Sequence, residues 1–193
     1  MKKNKDRVCP IWMAYTFDNP FRKLIHNPKK MFAKYVKEGM TVMDIGCGLG
    51  CFSIGMAKMV GKEGKVYSVD LQKGMLDRLM KRAGKANVAD IIKTHQCSAD
   101  KIGIEDKLDF ALAFWMIHET SDALDFLKQI HSLLKPDGIL FLSDPKMHVS
   151  KECFDKTIAD AKKIGSQIIS EPKIIMSRTV VLSKKGVEMN IDC

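Results

Sequence analysis

Residues able to do chemistry gather in two places along the chain. The first is Val42-Met43-Asp44-Ile45-Gly46-Cys47-Gly48-Leu49-Gly50, where an apolar strand pattern runs straight into a glycine-rich loop and then into a helical pattern. Glycines there let the main chain approach a ligand closely. A carboxylate follows about 20 residues on, Asp70 in Val69-Asp70-Leu71, where loops of this kind place the acid that binds ribose hydroxyls. Together they specify a nucleoside site. The second place is Phe114-Trp115-Met116-Ile117-His118-Glu119. His118 is the best candidate for a general base, since an imidazole is the side chain most readily switched between proton donor and acceptor near neutral pH. Glu119 stands ready to orient that ring, to bind a cationic substrate or to cap the helix that starts beyond it. A histidine packed into the loop for purely structural reasons is the competing reading.

Charge within the glycine loop narrows the ligand. A dinucleotide loop reads G-x-G-x-x-G and offers backbone N–H groups to a pyrophosphate, so an acid inside it opposes the ligand. Here the spacing is G-x-G-x-G, position 51 is Cys, and Asp44 sits two residues before Gly46. That favours a ligand with an ammonium group and no phosphate. S-adenosylmethionine, built of adenosine, a sulfonium and an amino-acid tail, has that composition.

These residues need a scaffold, and the pattern around them supplies one. Short β-branched or apolar runs at 41–45, 65–70, 91–96, 108–115 and 139–142 alternate with helical periods at 50–60, 73–84 and 121–134. Such alternation implies parallel strands joined by crossover helices, an α/β class. Lys135-Pro136-Asp137-Gly138 reads as a turn that stops the third of these helices. The tail departs from the pattern: a helix at 151–164 is followed by strands at 167–170 and 179–183 with no room for a crossover between them. An antiparallel pair at the end of the sheet is expected. Asn19-Pro20 and Asn27-Pro28 each place a capping side chain before a proline suited to a first helical turn, so two short helices are expected ahead of the first strand. Met56, Met59, Met75, Met80 and Met116 fall at core-like spacings.

At 193 residues the chain has room for one domain. Its 46% hydrophobic and 28% charged content excludes a disordered or coiled-coil protein. No run approaches the roughly 20 apolar residues of a membrane span, and the segment from Met1 to Arg7 is too polar to lead into a signal peptide, so a cytoplasmic protein is expected. Six cysteines without a Cys-x-x-Cys pair signal neither a zinc ribbon nor a thioredoxin-type site, and no metal is called for. The net charge of +9 is unevenly spread, because residues 1–40 hold ten basic and three acidic side chains while residues 41–145 hold 13 and 14. The body is neutral and the arm is basic.

Asp44-Ile45-Gly46-Cys47-Gly48-Leu49-Gly50 resembles motif I of the class I S-adenosylmethionine-dependent methyltransferases, and the likeness extends from residue 41 to about 185. Leu133-Leu134-Lys135-Pro136-Asp137-Gly138-Ile139-Leu140 is similar to the family's helix, turn and fifth strand. The resemblance implies a Rossmann-like, seven-stranded, mostly parallel sheet with a C-terminal antiparallel strand pair and helices on both faces. It divides the single domain into an N-terminal helical lid at 1–40 and an S-adenosylmethionine-binding part at 41–193. It implies that Asp44, Gly46, Cys47, Gly48 and Gly50 surround the methionine part and that Asp70, with Leu71, holds the ribose. Asp100 matches the polar residue that meets adenine, and Phe114 ends the fourth strand at the cofactor.

The same resemblance places the acceptor near Trp115 and His148, under a lid that carries Trp12 and Tyr15. Asp144-Pro145 lies at that edge too, as a substrate-facing acid or simply a turn. The implied reaction is methyl transfer to a small molecule, releasing S-adenosylhomocysteine, and the likeness is to the general small-molecule branch that includes quinone C-methyltransferases. The Asn/Asp-Pro-Pro-aromatic signature of the family's adenine- and cytosine-amino methyltransferases is lacking, so nucleic acid is not the expected partner. Two alternatives stay open: an RNA or protein methyltransferase that docks through the basic arm, and a module that binds S-adenosylmethionine without turning it over. Cys47 and Cys51, with Cys9, Cys97 and Cys153, also admit a thiophilic acceptor such as trivalent arsenic, although the further cysteine pairs of the arsenite methyltransferases are missing.

Overall fold

The computed structural model describes residues 25–184, which form a seven-stranded sheet in the order β3-β2-β1-β4-β5-β7-β6. The strands are β1 (Thr41–Ile45), β2 (Lys65–Asp70), β3 (Ile92–Gln96), β4 (Leu108–Phe114), β5 (Leu134–Pro145), β6 (Gln167–Ser170) and β7 (Ser177–Ser183). β1 to β5 run parallel, and β7 lies antiparallel to both β5 and β6. The expected terminal pair is therefore present. Its placement at the end of the sheet follows from the connection between β6 and β7, which is too short for a crossover.

Helices cover both faces, as the alternation of buried side chains along the strands requires. On one face α1 (Pro28–Phe32), α2 (Cys51–Val60) and α3 (Lys73–Lys85) bury Phe32, Phe52, Met56, Leu76 and Leu79 against Val42, Val66, Phe110 and Phe141. On the other, α4 (Ala123–Leu133) and α5 (Lys151–Lys163) bury Phe126, Leu127, Ile130 and Phe154 against Met43, Ala111, Leu140 and Leu182. α1 forms as the Asn27-Pro28 pair predicts, with the Asn27 side chain accepting from Lys30 N. It is fixed to α2 by close packing, since a Cβ added at Gly55 would come within 2.4 Å of Pro28. Residues 25–40 of the arm are thus part of the core through Phe32, Tyr35 and Val36. The helix expected at Asn19-Pro20, with Cys9, Trp12 and Tyr15, lies outside the described residues.

Among the boundaries that differ from expectation, those of three elements have identifiable reasons. β4 ends at Phe114 because Trp115 adopts φ +60°, a conformation no strand residue uses. α4 begins at Ala123, capped by the Asp122 side chain on Asp125 N, two residues later than the apolar period suggests. β5 runs from Leu134 to Pro145 rather than 139–142, with Lys135-Pro136-Asp137-Gly138 accommodated as a register jump opposite Leu108/Phe110. Asp109 anchors that end: its carboxylate accepts from Thr41 N at 2.8 Å and from Lys135 Nζ at 2.7 Å, tying β1, β4 and β5 together.

Strand order reverses between β1 and β4, which are direct neighbours. In open α/β sheets the crevice beyond the carboxyl ends of the strands at such a point is where ligands bind. The glycine loop leaves β1 there and Trp115 leaves β4 there. The two loops touch, because a Cβ on Gly46 would lie 2.9 Å from the Cβ of Met116.

Candidate functional site

The glycine loop is built by main-chain bonds that extend the sheet. Gly46 N and Cys47 N both donate to Val69 O, at 2.8 and 3.1 Å, and Gly50 N closes a turn on Cys47 O at 2.9 Å. Gly46, Gly48 and Gly50 all have positive φ, which side chains with a Cβ adopt only at a cost. Their surroundings differ. A Cβ at Gly50 would strike Leu79, whereas nothing lies within 4 Å of one at Gly48. Gly48 therefore faces the open crevice.

Asp70, 8% exposed at the end of β2, receives Gly48 N on Oδ2 and Gln72 N on Oδ1, each at 2.9 Å. Burial raises its carboxyl above the ordinary Asp value, and hydrogen bonds from Gln72, Gly48 and Leu71 only partly offset this. Three donors on a carboxylate with about four lone-pair sites leave it able to accept a further hydrogen bond. Asp44, 2% exposed, lies under the loop, where its Oδ2 accepts from Ser53 Oγ of α2 at 2.6 Å. The field of these acids is registered at Cys47: burial first, then Asp44 and Asp70, push its thiol well above the ordinary cysteine value. Cys97 is pushed up to about 11 by burial and by Asp70. Both sulfurs are held in the thiol form by burial and by the neighbouring acids. The loop is a place of negative potential.

Leu71 O accepts from Gln96 Nε2 at 3.0 Å, which fixes the chain just beyond Asp70. Asp100 is exposed, and Ser98 Oγ donates to its Oδ1 at 2.8 Å, holding the carboxyl below its usual range. Gln129 of α4 clamps the same loop, donating to Asp100 O at 2.7 Å and accepting from Ile102 N at 2.9 Å. Behind the glycine loop, Arg82 donates to Leu49 O at 2.7 Å.

Across the crevice, Phe114 is buried in an aromatic cluster with Phe52, its centroid 4.7 Å away, and is stacked on Trp115 at 5.3 Å. Trp115 is half-buried. Its N donates to Ser143 O at 2.7 Å and its indole N–H to Ser177 Oγ at 2.9 Å, so both its strained backbone and its ring are held. The His26 ring meets Phe114 and Trp115 edge-on, and its Nε2 bonds to Ile175 O at 3.1 Å.

His118 stands in the short 3-10 turn Ile117–Glu119. Its Nδ1 lies 2.8 Å from Asp144 Oδ1. The orienting acid is thus Asp144 rather than the adjacent Glu119. Asp144 is also neither a turn residue nor a substrate-facing one: it lies inside β5, 1% exposed. The His148 ring sits 6.1 Å from that of His118, edge-on, in the turn where His148 N donates to Pro145 O.

The loop, Asp70, Asp100, Phe114, Trp115, His118 and His148 all lie at the carboxyl ends of the parallel strands or in the loops that follow them. Ser53, Gln129, Asp144 and Ser177 are supporting residues that the motif did not point to. Asp144 carried a signal of its own: like Asp70, it is an acid closing an apolar strand run, in Ile139-Leu140-Phe141-Leu142-Ser143-Asp144.

A donor of adenosine, sulfonium and amino-acid parts fits these residues. Gly48 offers backbone without a side chain to open space, Asp70 offers carboxylate oxygens to hydroxyls, and the negative potential suits a cation.

The family model described as a methyltransferase domain matches residues 36–188. The demethylmenaquinone methyltransferase of Lactobacillus johnsonii is 33% identical over 149 residues, 72% of this chain and 61% of that protein. Among solved structures, a SAM-dependent methyltransferase from Aquifex aeolicus superposes with TM-score 0.80 at 24% identity, covering 91% of this chain and 98% of that one. An rRNA-methylase structure from Clostridium thermocellum gives TM-score 0.67 at 18% identity, covering 83% and 94%. The chain spans about three fifths of the length of the curated relatives it matches first. On the strength of the matched model and the loop, acid and strand order described above, the chain belongs to the methyltransferase domain family.

Proposed function

We propose that the protein transfers a methyl group from S-adenosylmethionine to a small, flat acceptor and releases S-adenosylhomocysteine. The observation that carries the acceptor class is the Trp115 corner. A bulky residue held at φ +60°, stacked on Phe114 and pinned through its indole N–H to Ser177, makes a rigid aromatic wall beside His118. Flat apolar rings stack on such walls. The relatives named demethylmenaquinone methyltransferase carry the same implication by name, although their substrate is theirs.

In this reading Gly46, Cys47 and Gly48 border the methionine part of the donor, Asp70 receives the ribose hydroxyls, and Asp100 faces the adenine. The donor supplies an electrophilic methyl on a sulfonium. The chain's own contribution is alignment, since holding two reactants in line replaces a costly encounter, and a base at His118 for an acceptor that arrives protonated. Trp115 and His148 border the acceptor. Glu119 is left the role of flanking charge.

Calorimetry with S-adenosylmethionine tests the donor half. Asp70→Ala is expected to weaken binding roughly 10- to 100-fold, the loss of one or two hydrogen bonds to a charged group at about 1.5 kcal/mol or more each. Unchanged affinity refutes the assignment. Release of S-adenosylhomocysteine with a panel of quinols, phenols, amines and thiols tests the acceptor half and eliminates a merely sensing module. If RNA is the acceptor instead, binding to it will fall steeply with added salt as phosphate counterions are displaced.

A further inference from the structure

His118 is gripped by an acid from a different strand. Asp144 is 1% exposed while the His118 side chain keeps 20% of its surface, so the ring edge on Nδ1 is sealed in protein and the opposite edge looks outward. A carboxylate accepts hydrogen bonds and cannot give them. Nδ1 therefore carries the proton, and Nε2 is left bare at the crevice. This is the tautomer and orientation a base needs.

We infer that Asp144 is a positioning residue that makes His118 a base for a hydroxyl-bearing acceptor, phenolic or enolic, in the methyl transfer proposed above, on which the inference rests. As the acceptor attacks, its O–H proton passes to His118 Nε2, the acceptor's electron pair forms the new bond to the methyl carbon, and the sulfur–carbon pair returns to sulfur. The sulfonium charge disappears, the imidazolium charge appears, and Asp144 neutralises it. The proton later leaves to water.

The class follows from what a base is worth. An aromatic amine is neutral at pH 7, has its lone pair ready and can shed its proton after transfer, whereas a neutral hydroxyl is a poor nucleophile until the proton is being removed. For a flat aromatic acceptor, a buried carboxylate committed to an imidazole at 2.8 Å therefore serves the hydroxyl and not the amine. His148 approaches from the turn after β5, Glu119 follows on the same 3-10 turn, and Arg178 stands opposite Asp144 on β7 with its Nε donating to Val149 O at 3.1 Å.

The tautomer is read directly by 15N NMR of the imidazole rings in the wild-type protein, with His118→Gln assigning the signal. Protonation on Nδ1 is expected; protonation on Nε2 overturns the inference, and this readout depends on neither donor nor activity. Asp144→Asn is then assayed with catechol and a naphthohydroquinone as hydroxyl probes and aniline as the amine probe. With the hydroxyl probes, kcat should fall about a hundredfold or more, while KM and donor affinity should stay within about twofold. Should the variant not fold, the wild-type tautomer and the wild-type probe preference decide. An amine preferred over both hydroxyl probes, an equal fall in rate with aniline, or no methylation of either hydroxyl probe while the donor binds, overturns the acceptor class alone. Failure of the donor to bind overturns the proposed function instead and leaves the tautomer result standing.

Discussion

One loop uses two of its glycines for different purposes. Gly48 and Gly50 both need the left-handed region, at φ +52° and +77°, but only Gly50 is hemmed in, since an added Cβ would meet Leu79 Cγ at 2.4 Å. Gly50→Ala combines backbone strain with overpacking, and a loss of roughly 2–4 kcal/mol is expected. Gly48→Ala costs only the strain, about 1 kcal/mol, yet its methyl group projects into the crevice where the donor is expected. Thermal unfolding and calorimetry separate the two: the first variant should lose stability, the second should keep most of it and lose at least tenfold in affinity for S-adenosylmethionine. If Gly48→Ala binds the donor as wild type does, the crevice is misassigned. The motif marks both glycines alike, because sequence records that a side chain is missing but not what occupies its place. The same limit explains Glu119 and Asp144. Adjacency in sequence pointed to Glu119, while the residue 26 positions away reaches the ring at 2.8 Å because β4 and β5 are neighbours in register.

At the scale of elements, periodicity carried most of the information. β1, β2 and β6 lie within the runs expected for them, because each is a short apolar or β-branched stretch bounded by glycine or polar residues. β5 was shorter in sequence than in the sheet. Pro136 and Gly138 look like a stop, yet the chain absorbs both as a bulge, with Gly138 so close to Leu108 O that a Cβ would stand 2.9 Å away. Local chemistry marks the irregularity; pairing with β4 and β7 decides that the strand continues. The last turn of α4 adds a pH dependence of its own. His131 has its ring pKa lowered, chiefly by burial and then by Lys184, so the folded protein binds its proton less readily than the unfolded chain. The stabilising contribution is present above the unfolded value and is lost as pH falls from about 6.5 through the lowered folded value. Chemical denaturation from pH 7.5 down to 5 should show this loss, and His131→Gln should flatten it. A slope unchanged by the substitution assigns the acid sensitivity elsewhere.

For the whole molecule, the consequence of strand order is that one ligand would touch the ends of several strands at once. The glycine loop hangs from β1 and is bonded to β2 through Val69 and Asp70. The Asp100 loop follows β3 and is clamped to α4 by Gln129, and the Trp115–Glu119 loop follows β4 and is held by β5 and β7 through Ser143, Asp144 and Ser177. A donor bound across the reversal therefore adds contacts between both halves of the sheet, and those contacts exist only when the sheet is intact. Binding restricted to the folded state stabilises by mass action, about 2.7 kcal/mol when the ligand is at a hundred times its Kd. For a chain of this size each kcal/mol moves the midpoint by about 2–4 °C, so saturating S-adenosylmethionine should raise Tm by roughly 5–10 °C. Gln129→Ala offers a check on the far side of the site from Asp70. The side chain makes no claim on the donor itself, yet its loss frees the loop bearing Asp100, so the ligand-induced rise should shrink while Tm without ligand falls by only a few degrees. A full ligand-induced rise in that variant would mean that the adenine end of the crevice is built without this loop.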